Sequence, residues 1–132
     1  MTIFERIANH EIPANIVYED DEIIAFLDIE PINAGHVLVL PKKCYETINN
    51  LPEELAARLF QIVTRLSKKV FEVLKPDGIN IISNNKPAAG QSVPHIHIHI
   101  IPRYINDGFK ISSSHVKLTV EEFEAIKNKL LI

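Results

Sequence analysis

The chain has 132 residues, 46% hydrophobic and 23% charged, the size and balance of one globular domain spanning residues 1–132, which excludes a disordered tail or a collagen-like repeat. A formal charge of −3 speaks against a nucleic-acid partner held by a broad basic face, and a lone cysteine excludes a disulfide framework or an all-cysteine metal cage. The apolar runs are too short to span a bilayer, and Met1 to Arg6 lacks the basic-then-apolar order of a secretory leader, so the expectation is a cytoplasmic protein with no membrane partner.

Taken in chain order, Ile16-Val17-Tyr18 reads as a short strand, Glu19 to Glu22 as an acidic turn, and Ile23 to Leu27 as a second strand. Glu30 to Gly35 has turn chemistry, because proline fixes φ and glycine admits positive φ. His36 to Leu40 is a third strand, ended by Pro41. Apolar residues at 55, 59, 62, 63, 66, 70, 73 and 74 share one helical face and predict a long helix from Leu55 to Leu74. Asn50 is its expected cap, with Glu53 three residues on, and Pro76-Asp77-Gly78 its stop. Ile79 to Ile82 predicts a fourth strand, Ser83 to Pro94 a polar loop, and His95 to Ile101 a fifth strand. Thr119 with Glu122 opens a short C-terminal helix whose inner face would be Phe123, Ile126 and Leu130. Strands grouped around a single long helix predict an α+β fold with an antiparallel sheet.

The informative segment runs from Gly90 to Arg103 and contains His95, His97 and His99. Alternate residues of a strand share a face, so the three imidazoles point one way and Ile96, Ile98 and Ile100 the other. Three readings of the histidine face compete. A solvent face that happens to be histidine is the plainest, but protonated neighbours repel and lysine or threonine would serve better. A metal site is the second, since alternate strand histidines can share an ion. Catalysis is the third: a neutral imidazole with one bare nitrogen attacks phosphorus, and the resulting phosphoramidate leaves readily once protonated. Gly90 permits close backbone approach, Gln91 can position a water or an oxyanion, and Ser92 offers a hydroxyl to a phosphate or leaving group.

The run His95-Ile96-His97-Ile98-His99-Ile100-Ile101 resembles the histidine triad family of nucleotide hydrolases and transferases at every position of its motif. Further blocks lie in family order: Ile12-Pro13-Ala14, Val17 to Asp20, Ala25 to Ile29, Gly35 to Lys42 and Gly90 to Val93. The resemblance covers nearly the whole chain as a single histidine triad domain. It implies a homodimer in which a five-stranded antiparallel sheet continues into that of its partner. It implies that His97 is the nucleophile on the α-phosphate, that His99 bonds a phosphate oxygen, and that the His95 carbonyl takes the Nδ1 proton of His97. It gives His36 a supporting role and matches Ser92 and Gln91 to leaving-group and phosphate contacts. Phe26, Leu27 and Ile29 look like a base-binding wall, Asp28 like a ribose acceptor, and Asn84 like a phosphate-side contact. Without the resemblance, Phe26, Leu27 and Ile29 read equally well as core, Asp28 and Asn84 as turn residues, and His36 as a satisfied interior histidine. His10 and His115 lie outside the motif and read as surface residues.

The implied substrate is a purine nucleoside 5′-phosphoramidate, cleaved to AMP or GMP. A diadenosine polyphosphate is the alternative, and an AMP-binding regulatory protein without turnover is another. Arg103 reads either as a contact to distal phosphates or as an exposed strand-end arginine. No tryptophan is present, unlike the animal phosphoramidases of the family, and the C-terminal part looks more like the bacterial branch. Many bacterial relatives hold a structural zinc through Cys-x-x-Cys, a later histidine and the first triad histidine. Here Thr2 and Glu5 stand for the cysteines and Cys44 for the histidine, so no metal and no other cofactor is expected; magnesium would arrive only with a polyphosphate substrate. Cys44 is then a small, part-buried apolar residue.

Overall fold

Five strands, β1 (Ile16–Glu19), β2 (Ile23–Leu27), β3 (Val37–Pro41), β4 (Gly78–Ile82) and β5 (Ile98–Arg103), form one antiparallel sheet in the order β1-β2-β3-β5-β4. Three helices accompany them: α1 (Ile3–Ala8), α2 (Glu53–Leu74) and α3 (Val120–Leu130). These elements belong to a computed structural model that describes residues 1–111 and 113–132. β3 and β4 are both antiparallel to β5, hence parallel to each other, with α2 as the crossover and β5 inserted between them. The α+β class and the antiparallel sheet are as the sequence predicts.

The alternation of side chains explains the layers. Ile23 and Ala25 of β2, Val37 and Val39 of β3, and Ile96, Ile98 and Ile100 pack against Leu59, Ile62, Val63 and Val70 of α2. Ile24, Phe26, Leu38 and Leu40 turn to the opposite face, where Phe4, Ile7 and Ala8 of α1 cover them. The central strands are therefore buried on both faces, which is why they read as unbroken apolar runs. Ile96, Ile98 and Ile100 are wholly buried, each contributing about 2–3 kcal/mol of apolar burial. Gly35 lies where the turn before β3 crosses the end of α2. Its φ is +93°, a conformation that favours glycine, and the movable end of the Leu74 side chain lies against the space a Cβ would take.

The structure corrects four expectations. α1 went unpredicted, although Thr2-x-x-Glu5 is a capping box: Glu5 N donates to Thr2 Oγ1 at 3.1 Å and Thr2 N to Glu5 Oε1 at 2.9 Å. α2 begins at Glu53 with Pro52 as its cap, because Asn50 is taken by Thr47 in a short 3₁₀ turn. β5 pairs only from Ile98, three residues later than expected. α3 has its expected Thr119–Glu122 capping box, but Phe123, Ile126 and Leu130 are exposed, so its apolar face is not packed in this chain.

Thr2 also ties α1 to the sheet, its Oγ1 lying 3.2 Å from His95 Nδ1. Thr2→Ala is expected to lower stability by about 1–2 kcal/mol, read as a lower urea midpoint, with Thr2→Ser restoring most of it.

Candidate active site

The segment that enters β5 packs against Phe4 of α1 and delivers His97 and His99 to a cleft of about 300 Å³. Phe4 and Ile7 of α1, Phe26 and Leu27 of β2, and Ile29 make its apolar wall; Asp28 and Ser92 add polar groups. Phe4 stands edge-on to His97, ring centroids 4.9 Å apart, and packs against Phe26 at 5.7 Å. The His97 and His99 rings are also 4.9 Å apart, closer than the roughly 6.5–7 Å repeat of a strand.

Hydrogen bonds fix where each imidazole keeps its proton. His97 Nδ1 lies 2.7 Å from the His95 carbonyl oxygen, which can only accept, so His97 carries its proton on Nδ1 and leaves Nε2 bare. The Ile32 amide donates to His36 Nδ1 at 3.1 Å, so His36 is protonated on Nε2. That nitrogen lies 2.9 Å from His99 Nδ1 and donates to it, which puts the proton of His99 on Nε2. The cleft therefore receives one nucleophilic nitrogen and one N–H donor. Burial lowers the pKa of His97 and of His36, opposed for both by the charge of Asp28 and for His97 also by the His95 carbonyl. His99 is lowered to about 4 by burial and by the neighbouring His97 and His36. All are neutral at pH 7, the state that attack requires.

The sequence-derived candidates divide. Phe26, Leu27, Asp28, Ile29, Ser92, His97 and His99 line the cleft. His36 stands behind His99, buried, while His95 is wholly buried and donates through Nε2 to the Pro41 carbonyl at 2.7 Å. Gln91, Gly90 and Asn84 lie outside the cleft lining. Gln91 is buried and braces the loop, accepting from Lys86 N and donating to the Glu46 carbonyl, each at 2.7 Å. Gly90 takes a φ of +91° there, and Asn84 packs beneath it. Phe26 is both core and wall, whereas Ile29 is 84% exposed and belongs to the cleft rim alone. Arg103 is held by Asp107 and Asn80 on β4, and His10 and His115 are exposed. Sequence reasoning missed Ile3, Phe4 and Ile7, the part of the apolar wall that α1 supplies, and also Ile12, Leu38 and Val93; for the first three the Thr2–Glu5 capping box was the signal that places them on a helix.

At the position where the resemblance would put a zinc ion, the side chains are engaged with one another. Thr2 and Glu5 are joined in the capping box, His95 Nδ1 receives the Thr2 hydroxyl, and Cys44 Sγ points to the Pro94 carbonyl at 3.5 Å. Burial, with the charges of Glu5 and Glu46, raises the Cys44 pKa, so the uncoordinated side chain is a thiol. Among the described residues one group gathers three ligand types, Asp28, His36 and His99. There the Ile32 amide occupies the far nitrogen of His36, so its near nitrogen carries a proton instead of a lone pair.

A HIT domain model matches residues 9–106, most of the chain. The chain belongs to the histidine triad, or HIT, family. A HIT-like protein of Methanocaldococcus jannaschii is 49% identical over 120 residues, 89% of this chain and 90% of that one. The purine nucleoside phosphoramidase of Escherichia coli K12 is 35% identical over 103 residues, 76% of this chain and 85% of its own. Among solved structures, a HIT family protein from Bacillus subtilis superposes with a TM-score of 0.92 at 37% identity, covering 98% of this chain and 94% of that one.

The triad's low pKa values carry a stability consequence. As pH falls below 6.5 the unfolded chain binds protons that the folded chain refuses, so stability present above pH 6.5 is lost on acidification. The urea midpoint is expected to fall steadily between pH 6.5 and about pH 4, and less steeply in His99→Gln.

Proposed function

We propose that this HIT protein hydrolyses purine nucleoside 5′-phosphoramidates in two steps through a nucleotidyl-His97 intermediate. The observation that carries the reading is the bare Nε2 of His97, set by the bond from Nδ1 to the His95 carbonyl, in a cleft with an apolar wall. The relative named a purine nucleoside phosphoramidase supports the substrate class. A purine would lie between Phe26, Leu27 and Ile29, with Asp28 accepting from the ribose hydroxyls. The Nε2 lone pair forms a bond to the α-phosphorus as the bond to the amine breaks, and the amine departs with a proton that the Ser92 hydroxyl relays from solvent water. His99 Nε2–H bonds a phosphate oxygen as negative charge gathers there. Water then attacks phosphorus, the Nε2–P bond breaks, and AMP or GMP leaves with His97 neutral again.

The same reading has the chain working in the cytoplasm as a homodimer, without a structural zinc. β4 supports the dimer: it is a sheet edge in regular register, whereas the opposite edge, β1, is interrupted by a bulge between Ile16 and Tyr18 that discourages pairing. Ile81 on β4 and Phe60 and Phe71 on α2 add exposed apolar surface.

Two measurements test the proposal. His97→Ala is expected to cut kcat on adenosine phosphoramidate by at least about 10³-fold and to abolish the adduct that mass spectrometry traps on the wild type. A wild type that binds AMP but never forms the adduct is a regulatory binder instead. Native mass spectrometry of untagged protein is expected to give twice the chain mass with no stoichiometric zinc; a bound zinc per chain would refute the hydrogen-bonded replacement.

A further inference from the structure

His99 presents N–H to the cleft only while His36 keeps its proton on Nε2; the Ile32 amide bonded to its other nitrogen sets that tautomer, and the Asp28 carboxylate, 3.6 Å from Nε2, favours the same one. Ile32 lies in the turn between Asp28 and His36, away from regular structure, so something must hold that amide in place. The neighbouring residue does. Asn33 Nδ2 donates to the Pro102 carbonyl at 2.8 Å and to Asp107 Oδ2 at 2.9 Å, crossing from the turn to the end of β5. The Asn33 carbonyl accepts the His36 amide at 3.1 Å, which closes the turn around the histidine.

Asp107 is itself fixed. Its carboxylate accepts Arg103 Nε at 2.8 Å and Nη2 at 2.7 Å in a two-pronged bond, and also the Tyr104 and Phe109 amides. Arg103 continues to Asn80 Oδ1 on β4 at 2.6 Å. The Arg103 guanidinium, with the Tyr104 amide, holds the Asp107 carboxyl well below the ordinary carboxylate range, Asp107 in turn raises the pKa of Arg103, and the pair stays ionised throughout the neutral range. A forked arginine–carboxylate pair is a rigid anchor, unlike a lysine pair. Arg103 is thus spent within the protein, and the distal-phosphate role read from the sequence has no free guanidinium to perform it.

We propose that Asn33, Asp107 and Arg103 form a positioning clamp that sets the tautomer of His99 through Ile32 and His36. None of the three lines the cleft, so they are positioning residues rather than catalytic ones. If the turn loosens, the Ile32 amide leaves His36 Nδ1, both tautomers of His36 become available, and His99 follows. The tautomer of His99 with its proton on Nδ1 turns a lone pair, not an N–H, toward the phosphate oxygen. Charge at that oxygen then goes without its donor, which weakens the transition state more than the bound substrate.

The inference rests on the phosphoramidase reading for its kinetic part only, because imidazole tautomers are read by ¹⁵N NMR without substrate. In the wild type, His36 and His99 are expected to show pyridine-like Nδ1 and pyrrole-like Nε2 signals, each in a single tautomer. Asn33→Ala and Arg103→Lys are each expected to mix the tautomers of both rings and to lower kcat on adenosine phosphoramidate about tenfold, with KM changed less than twofold. A pyrrole-like Nδ1 on His36 in the wild type overturns the clamp. So do folded variants whose tautomers stay unmixed, whatever their activity. Unfolding of both variants overturns it as well, since the cluster would then support the fold and not the proton. Loss of adduct formation in a wild type with the expected tautomers would sink the phosphoramidase reading and leave the clamp standing.

Discussion

The position of one proton governs the chemistry available to this molecule. Imidazole has two nitrogens and, when neutral, one hydrogen; a nucleophile is obtained only if that hydrogen is held on the far nitrogen. The His95 carbonyl holds it, two residues earlier in the same segment, and the arrangement is possible because β5 pairs only from Ile98. Were the ladder to start at His95 as the sequence suggests, that carbonyl would face a neighbouring strand. The short unpaired entry to the strand is what makes the carbonyl available. Burial completes the effect by penalising the charged imidazolium.

The sheet supports this local arrangement from both sides. Ile96, Ile98 and Ile100 lock the histidine segment to α2, and Phe4, backed by Phe26, presses on its other face. A site built on such a doubly buried segment has little freedom to drift, which suits chemistry that needs a nitrogen aimed within tenths of an ångström. Polar groups in the same layer are paired in turn: His95 with Thr2 and Pro41, His36 with Ile32 and His99. Ser67 Oγ is the one buried side-chain polar atom without a partner among the described residues.

Much of this was legible beforehand because periodicity carries it. The period of two over residues 95–100 separates the histidine face from the isoleucine face, and the 3.6 period of 55–74 gives α2 and its inner face. What escaped was local competition and long-range pairing. Asn50 suits a helix cap, yet Thr47 claims it first. Gln91 is amide chemistry well suited to a phosphate, yet two backbone groups take both ends, one in its own loop and one at Glu46, far away in the chain. Arg103 looks free until Asp107, only four residues on, folds back onto it. The face of α3 has a helical pattern in the sequence, but a pattern does not say which surface will cover it. The family resemblance extended the reading to His36 and the His95 carbonyl, neither of which periodicity singles out.

α1 shows how a short helix is fastened over a cleft by side chains alone. Six residues are too few to hold a helix in water, so its place over the cleft depends on the Thr2–Glu5 box, the Thr2 bond to His95 and the packing of Phe4 and Ile7. None of these contacts involves a thiolate. Unlike a cysteine-bound centre, these bonds between hydroxyl, carboxylate and imidazole are themselves nothing that a chelator can strip or an oxidant can break.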